Sequence, residues 1–117
     1  MRNLLAFALI TFFLTSCAEN QPPSIPVLMY PPNDATVSAN TLFLSWGCHD
    51  PESDILKYDV YLYSSFPYQY HQIAYGIEHN SCTLPVVVPG KQYYWFVTAH
   101  DSENNFITSP VWSFTAK

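Results

Sequence analysis

The residues able to do chemistry are few and unevenly placed. Carboxylates alternate in His49-Asp50-Pro51-Glu52-Ser53-Asp54, so Asp50, Glu52 and Asp54 offer the oxygen ligands that a hard cation such as Ca²⁺ takes. The spacing departs from a calcium-binding loop, which requires Gly where Ile55 stands and a bidentate Glu where Tyr61 stands. The same Asp and Ser side chains also serve as caps for turn amides. The four histidines, His49, His71, His79 and His100, show no H-x-x-x-H spacing, and there is no Gly-x-Ser-x-Gly elbow or phosphate-cradling glycine loop. His49-Asp50 and His100-Asp101 are neighbours along the chain, which does not orient an imidazole as a base. The expectation is a protein that is not an enzyme and needs no cofactor.

Aromatic side chains offer a different chemistry. Tyr61, Tyr63, Phe66, Tyr68, Tyr70 and Tyr75 crowd one stretch, and Tyr94 and Phe96 alternate in another. Turned outward on one sheet, Tyr61, Tyr63, Tyr94 and Phe96, with Phe66, Tyr68 and Tyr70 in a loop, would make a protein interface or a platform for stacking sugars. Cross-strand pairing within an antiparallel sheet is the other use for such residues.

The three cysteines serve different ends. Met1-Arg2-Asn3 carries one positive charge and leads into the eleven-residue apolar run Leu4–Leu14. That run is shorter than the roughly 20 residues that span a bilayer and has the pattern of a secretory leader. Its end, Leu14-Thr15-Ser16-Cys17, resembles the bacterial lipoprotein lipobox. The resemblance implies cleavage before Cys17 and lipidation of that cysteine with palmitate-like acyl chains. An ordinary leader with a chance cysteine, or a buried apolar helix, are the other readings of the same run. The expected organisation is a leader at 1–16, a lipidated cysteine and Pro-containing tether at 17–24, and one domain at 25–117. Ala18 stands where an Asp would hold such a protein at the inner membrane, so the expected location is the cell envelope at the outer membrane.

Composition narrows the class. Phe, Trp and Tyr make up 17% of the 117 residues and charged residues only 11%, which argues against a disordered tail and a coiled coil. A net charge of −5 provides no footprint for gripping phosphate backbones, so no nucleic-acid partner is expected.

Prolines at 26, 31, 32, 51, 67, 85, 89 and 110 cut the chain into pieces too short for ordinary helices. The pieces alternate as strands at about Val27–Tyr30, Thr41–Cys48, Lys57–Tyr63, Gln72–Tyr75, Ser81–Leu84, Gln92–His100 and Val111–Thr115. Period-2 alternation places Leu42, Leu44 and Trp46 on one face, as it does Tyr58, Val60 and Leu62, and Tyr93, Trp95, Val97 and Ala99. The fold class expected is all-β, a seven-stranded antiparallel sandwich.

Pro23-Ser24-Ile25-Pro26, Leu44-Ser45-Trp46, Tyr58-Asp59-Val60-Tyr61, the run Pro89-Gly90-Lys91-Gln92-Tyr93-Tyr94-Trp95-Phe96-Val97-Thr98-Ala99 and Ser109-Pro110-Val111-Trp112-Ser113-Phe114 together resemble an immunoglobulin-like fibronectin type III domain of the bacterial surface-protein kind. The resemblance covers nearly all of residues 23–117. It implies strands A, B and E facing C, C′, F and G, a core tryptophan at Trp46, and a tyrosine corner at Tyr93. It also places Cys48 at the end of strand B beside Cys82 at the start of strand E, both inward, which implies a Cys48–Cys82 disulfide in an exported protein. The loop after strand F, Ser102-Glu103-Asn104-Asn105, has no Arg-Gly-Asp. The function expected is a membrane-anchored, non-catalytic module for protein interaction or assembly. An accessory carbohydrate-binding module with a polysaccharide partner and a Ca²⁺-stiffened spacer are the alternatives.

Overall fold

Short β-branched and aromatic runs between proline-bearing turns become nine strands: β1 (Val27–Tyr30), β2 (Ala35–Val37), β3 (Phe43–Gly47), β4 (Lys57–Ser64), β5 (Gln69–Ile77), β6 (Ser81–Thr83), β7 (Gln92–His100), β8 (Phe106–Thr108) and β9 (Trp112–Ala116). The computed structural model describes residues 21–117 apart from residues 41, 53, 54, 67, 85 and 86, and these described residues contain no helix. The leader, Cys17 and the proposed ligand Asp54 lie outside the described residues.

The strands build two sheets, β1-β3-β6 and β2-β9-β7-β4-β5, with β8 added beside β7. The expected seven-stranded antiparallel sandwich is corrected in two respects. β2 and β8 are additional strands, and β2 runs parallel to β9, so the larger sheet is mixed. Both additions depend on side chains distant in sequence. Asn33 Oδ1 accepts the Ser113 amide at 2.9 Å and Asp34 Oδ1 accepts the Ser113 hydroxyl at 2.7 Å, which clamps the start of β2 onto β9. Beyond β7, Asp101 accepts the amides of Glu103 and Asn105 on one carboxylate oxygen and turns the chain back as β8.

The inward faces are those that alternation predicts. Leu44, Val60, Trp95, Val97 and Phe114 are fully buried, and Trp46 sits edge-on to Tyr58 with ring centroids 5.5 Å apart. Each such side chain contributes about 1.5–3 kcal/mol of burial, which makes this seam between the sheets the main source of stability. The turn into β7 is locally determined. Pro89 and Gly90 occupy the centre of a turn closed by the Lys91 amide donating to the Val88 carbonyl at 3.1 Å, and Gly90 takes φ +92°. Across this turn the Val88 amide donates to the Tyr93 hydroxyl at 2.7 Å, the tyrosine corner expected at that position.

The expected Cys48–Cys82 bridge is not formed; both cysteines carry free thiols. Parity is as expected, but register is not. β3 pairs with β6 so that Leu44 lies opposite Cys82, and the Trp46 amide donates to the Asn80 carbonyl. Cys48 therefore sits four positions along from the partner of Cys82, roughly 13 Å at strand rise, where a disulfide requires a Cα separation below about 7 Å. The Cys48 thiol instead donates to the Ser24 carbonyl at 3.1 Å.

Candidate interaction surface

The outward face of the larger sheet follows from its registers. β4 and β7 pair without interruption from Lys57↔His100 to Ser64↔Tyr93, which sets Tyr61 against Phe96 and Tyr63 against Tyr94. The rings stack: Tyr61 on Phe96 at 4.8 Å, Tyr63 on Tyr94 at 5.3 Å and Tyr61 on Tyr70 at 5.9 Å, all within about 20° of parallel. Tyr61, Tyr63, Tyr94 and Phe96 are therefore half-buried by one another. Tyr61 is stacked on both sides and Phe96, Tyr63 and Tyr94 on one, so these four residues form a cross-strand ladder that stiffens the sheet. Burial in this ladder, then the nearby Asp59 carboxylate, raises the Tyr61 hydroxyl above its ordinary pKa.

The remaining predicted aromatics behave differently. Phe66 and Tyr68 are each 78% exposed at the tip of the β4–β5 hairpin and meet edge to face at 6.4 Å. Tyr70 was expected in a loop but lies on β5, and it and Tyr75 are also exposed. The structure thus divides the predicted face into a stacked ladder and an exposed rim of Phe66, Tyr68 and Tyr70, the last stacked on Tyr61, and adds the exposed Tyr75 to that rim.

Strand direction separates this rim's tip from the N-terminal segment. The Ser24 amide donates to the His49 carbonyl at 2.9 Å and the His49 amide to Ser24 Oγ at 3.0 Å, which fastens the entering chain beside the start of β4. β4 then runs eight residues, about 26 Å, before the hairpin tip. Phe66 and Tyr68 therefore sit at the end of the sandwich away from the entering chain.

A second cluster escaped the sequence reading. Asp59, on the outward side of β4 yet buried, accepts the Gly76 amide on Oδ1 at 2.9 Å, and Oδ2 lies 2.9 Å from His100 Nε2. The histidine thus meets a carboxylate from β4. The contact pins β5 at Gly76, whose φ of +64° is left-handed, where β5 bulges opposite Asp59. An Asp amid the alternation Tyr58-Asp59-Val60-Tyr61 and a Gly within a strand were the signals available. Lys57, Tyr75 and Asn104 complete an open cleft of about 410 Å³ around this pair.

Of the predicted cation ligands, Asp50 is buried and accepts the Glu52 amide at 2.9 Å, the turn-capping use of such a side chain. Glu52 faces the Gln21 amide at 3.3 Å. Among the described residues no three His, Cys, Asp or Glu side chains gather to hold a metal ion.

Two facing sheets in the order β1-β3-β6 and β9-β7-β4-β5, closed by a tyrosine corner, define a fibronectin type III fold. Solved structures bear this out. The chain is similar to the fibronectin type III domain of human fibronectin type III domain containing protein 3 at a TM-score of 0.62 and 20% identity, covering 85% of this chain and 90% of that one. It is also similar to an Fn3-like protein from Clostridium thermocellum, with a TM-score of 0.57 and 23% identity over 81% of this chain and 94% of that one. The fibronectin(III)-like modules of Clostridium thermocellum CbhA match at a TM-score of 0.51 and 15% identity over 79% of this chain and 94% of that one. No protein-family model matches the sequence, and no curated protein matches it.

Proposed function

We propose that the chain is a lipid-anchored envelope protein, held through acyl chains on Cys17, whose fibronectin type III-fold domain is a non-catalytic interaction module. The observation that carries the reading is the exposed aromatic tip, Phe66 and Tyr68, at the end of the sandwich away from the entering chain. A leader with the lipobox-like Leu14-Thr15-Ser16-Cys17 supports attachment at the near end, and Ala18 supports the outer membrane. With two or three acyl chains the anchoring is stable, where one chain is marginal. The tip then points away from the bilayer, toward a protein partner.

The test has two arms. Labelling cells with a palmitate analogue is expected to mark the full chain and to fail with Cys17→Ala; equal labelling of both refutes the anchor. Capture of partners from solubilised envelopes by the full chain is expected to fall at least tenfold with Phe66→Ala and Tyr68→Ala together. Undiminished capture removes the tip from the interaction. Retention on polysaccharide lost in a Tyr68→Ala/Tyr70→Ala variant would favour the carbohydrate-binding alternative, and a melting temperature raised by Ca²⁺ would favour the spacer.

A further inference from the structure

The outer face of the smaller sheet is apolar and uncharged. β1, β3 and β6 hold no Lys, Arg, His, Asp or Glu. Leu28, Leu44 and Trp46 turn into the core, so their neighbours Val27 and Phe43 turn out, 64% and 42% exposed. Met29, at the register shift between Leu28 and Tyr30, is exposed as well and lies over Gly47, where a Cβ would sit 3.7 Å from its sulfur. Tyr30 stacks on Phe43 at 4.8 Å. With the exposed Ile25 just ahead of β1, these side chains present roughly 400 Å² of apolar surface, a patch of the size that marks a protein or membrane contact.

We propose that this face lies on the bilayer surface to which the chain is anchored. The inference rests on the anchor at Cys17, and the length of the tether selects the occupant. Three atoms of Ser24 bind the sandwich: its amide donates to the His49 carbonyl, its hydroxyl accepts the His49 amide and its carbonyl accepts the Cys48 thiol. The chain is therefore fixed to the domain from Ser24 onward, and seven residues separate Ser24 from Cys17. Fully extended, they reach about 25 Å, so the entering end of the domain stays at the surface. Ile25, Val27 and Met29 follow Ser24 directly, and the apolar stripe starts where the tether meets the domain. Held this close, the face meets lipid at high effective concentration, and a contact too weak to hold a free protein suffices.

The side chains fit lipid better than a protein partner. Protein interfaces concentrate their binding energy in Trp, Tyr and Arg. This stripe is Ile, Val and Met beside the tether with the Tyr30–Phe43 ring pair beyond, a mix that settles at headgroup depth. The net charge of −5 disfavours anionic headgroups, so the surface it takes is zwitterionic. The larger sheet then forms the layer about 10 Å farther from the bilayer, which keeps the ladder, Phe66 and Tyr68 free for a partner.

The test is hydroxyl-radical footprinting read by mass spectrometry, with the acylated chain purified from envelopes and reconstituted on phosphatidylcholine vesicles. Met29 is the only methionine after residue 1 and reports the face directly. Compared with the Cys17→Ser chain in solution, vesicles are expected to lower modification of Met29 at least threefold and to leave Phe66 and Tyr68 unchanged. Ile25→Glu with Val27→Glu, both at exposed positions, is expected to restore Met29 modification while the chain stays on the vesicles, with fully buried Trp95 as the internal measure of the fold. Met29 as reactive on vesicles as in solution overturns the proposal. So does protection shared equally by Phe66 and Tyr68, or protection that survives the double substitution. A chain without acyl groups on Cys17 refutes the anchor and this inference with it, whereas an acylated chain with unprotected Met29 refutes the membrane-facing sheet alone.

Discussion

Replacing Tyr93 by Phe removes one oxygen atom from the turn that leads into β7. The ring is buried and stacked on Phe114 at 5.4 Å, so the phenylalanine keeps its packing. What is lost is the acceptor for the Val88 amide at 2.7 Å, the bond that ties the Val88–Lys91 turn to the strand. An unpaired donor costs about 1–3 kcal/mol when buried. Val88 is half exposed, so water reaches part of the amide and the lower range, about 1–2 kcal/mol, applies. For a domain of this size that lowers the melting temperature by roughly 5–12 °C. Urea unfolding followed by tryptophan fluorescence, which reports the core through Trp46 and Trp95, measures it directly. Tyr94→Phe is the control, because the Tyr94 hydroxyl bonds to nothing among the described residues. A Tyr93→Phe midpoint within error of the unmodified chain, or an equal loss in Tyr94→Phe, refutes the assignment of this stability to the corner.

Gly76→Ala places a Cβ in free space but at a left-handed φ of +64°, so the expected loss of about 1–2 kcal/mol is backbone strain alone. A urea midpoint unchanged by that substitution shows the bulge relaxing instead. Burial pushes the Cys82 thiol up to about 11 from an ordinary 9.0. At pH 8 its thiolate fraction is then about 100-fold below that of an ordinary thiol, and alkylation of Cys82 in the folded protein is expected to slow accordingly. The unfolded chain loses this proton first, so stability is full below pH 9 and falls as pH rises toward 11. Burial raises the Tyr58 hydroxyl as well, in the same direction, so comparison of urea midpoints with Cys82→Ala across pH 8–11 isolates the thiol.

The strand most legible in the sequence is β7, read as Gln92–His100 with the observed bounds, because its nine residues alternate without interruption. β1 was equally legible between its flanking prolines. β5 was read as Gln72–Tyr75 and spans Gln69–Ile77, since bulges at Ile73 and opposite Asp59 break the period that marks a strand. β2 and β8, three residues each, are too short to show a period and form because Ser113 and the Asp101 turn hold them against their neighbours. The rim aromatics are legible in the sequence, but the division between ladder and rim is not, because stacking partners come from different strands.

Alternation and turn chemistry are local, and they settled which side chains face the core and where Pro89-Gly90 turns the chain. Register is not local. A period of two leaves a strand free to slide by two or four residues with every face preserved. Cys48 and Cys82 face inward as read and still miss each other by four positions. For the same reason His100 meets Asp59 across β4 and β7, a pairing no single segment encodes.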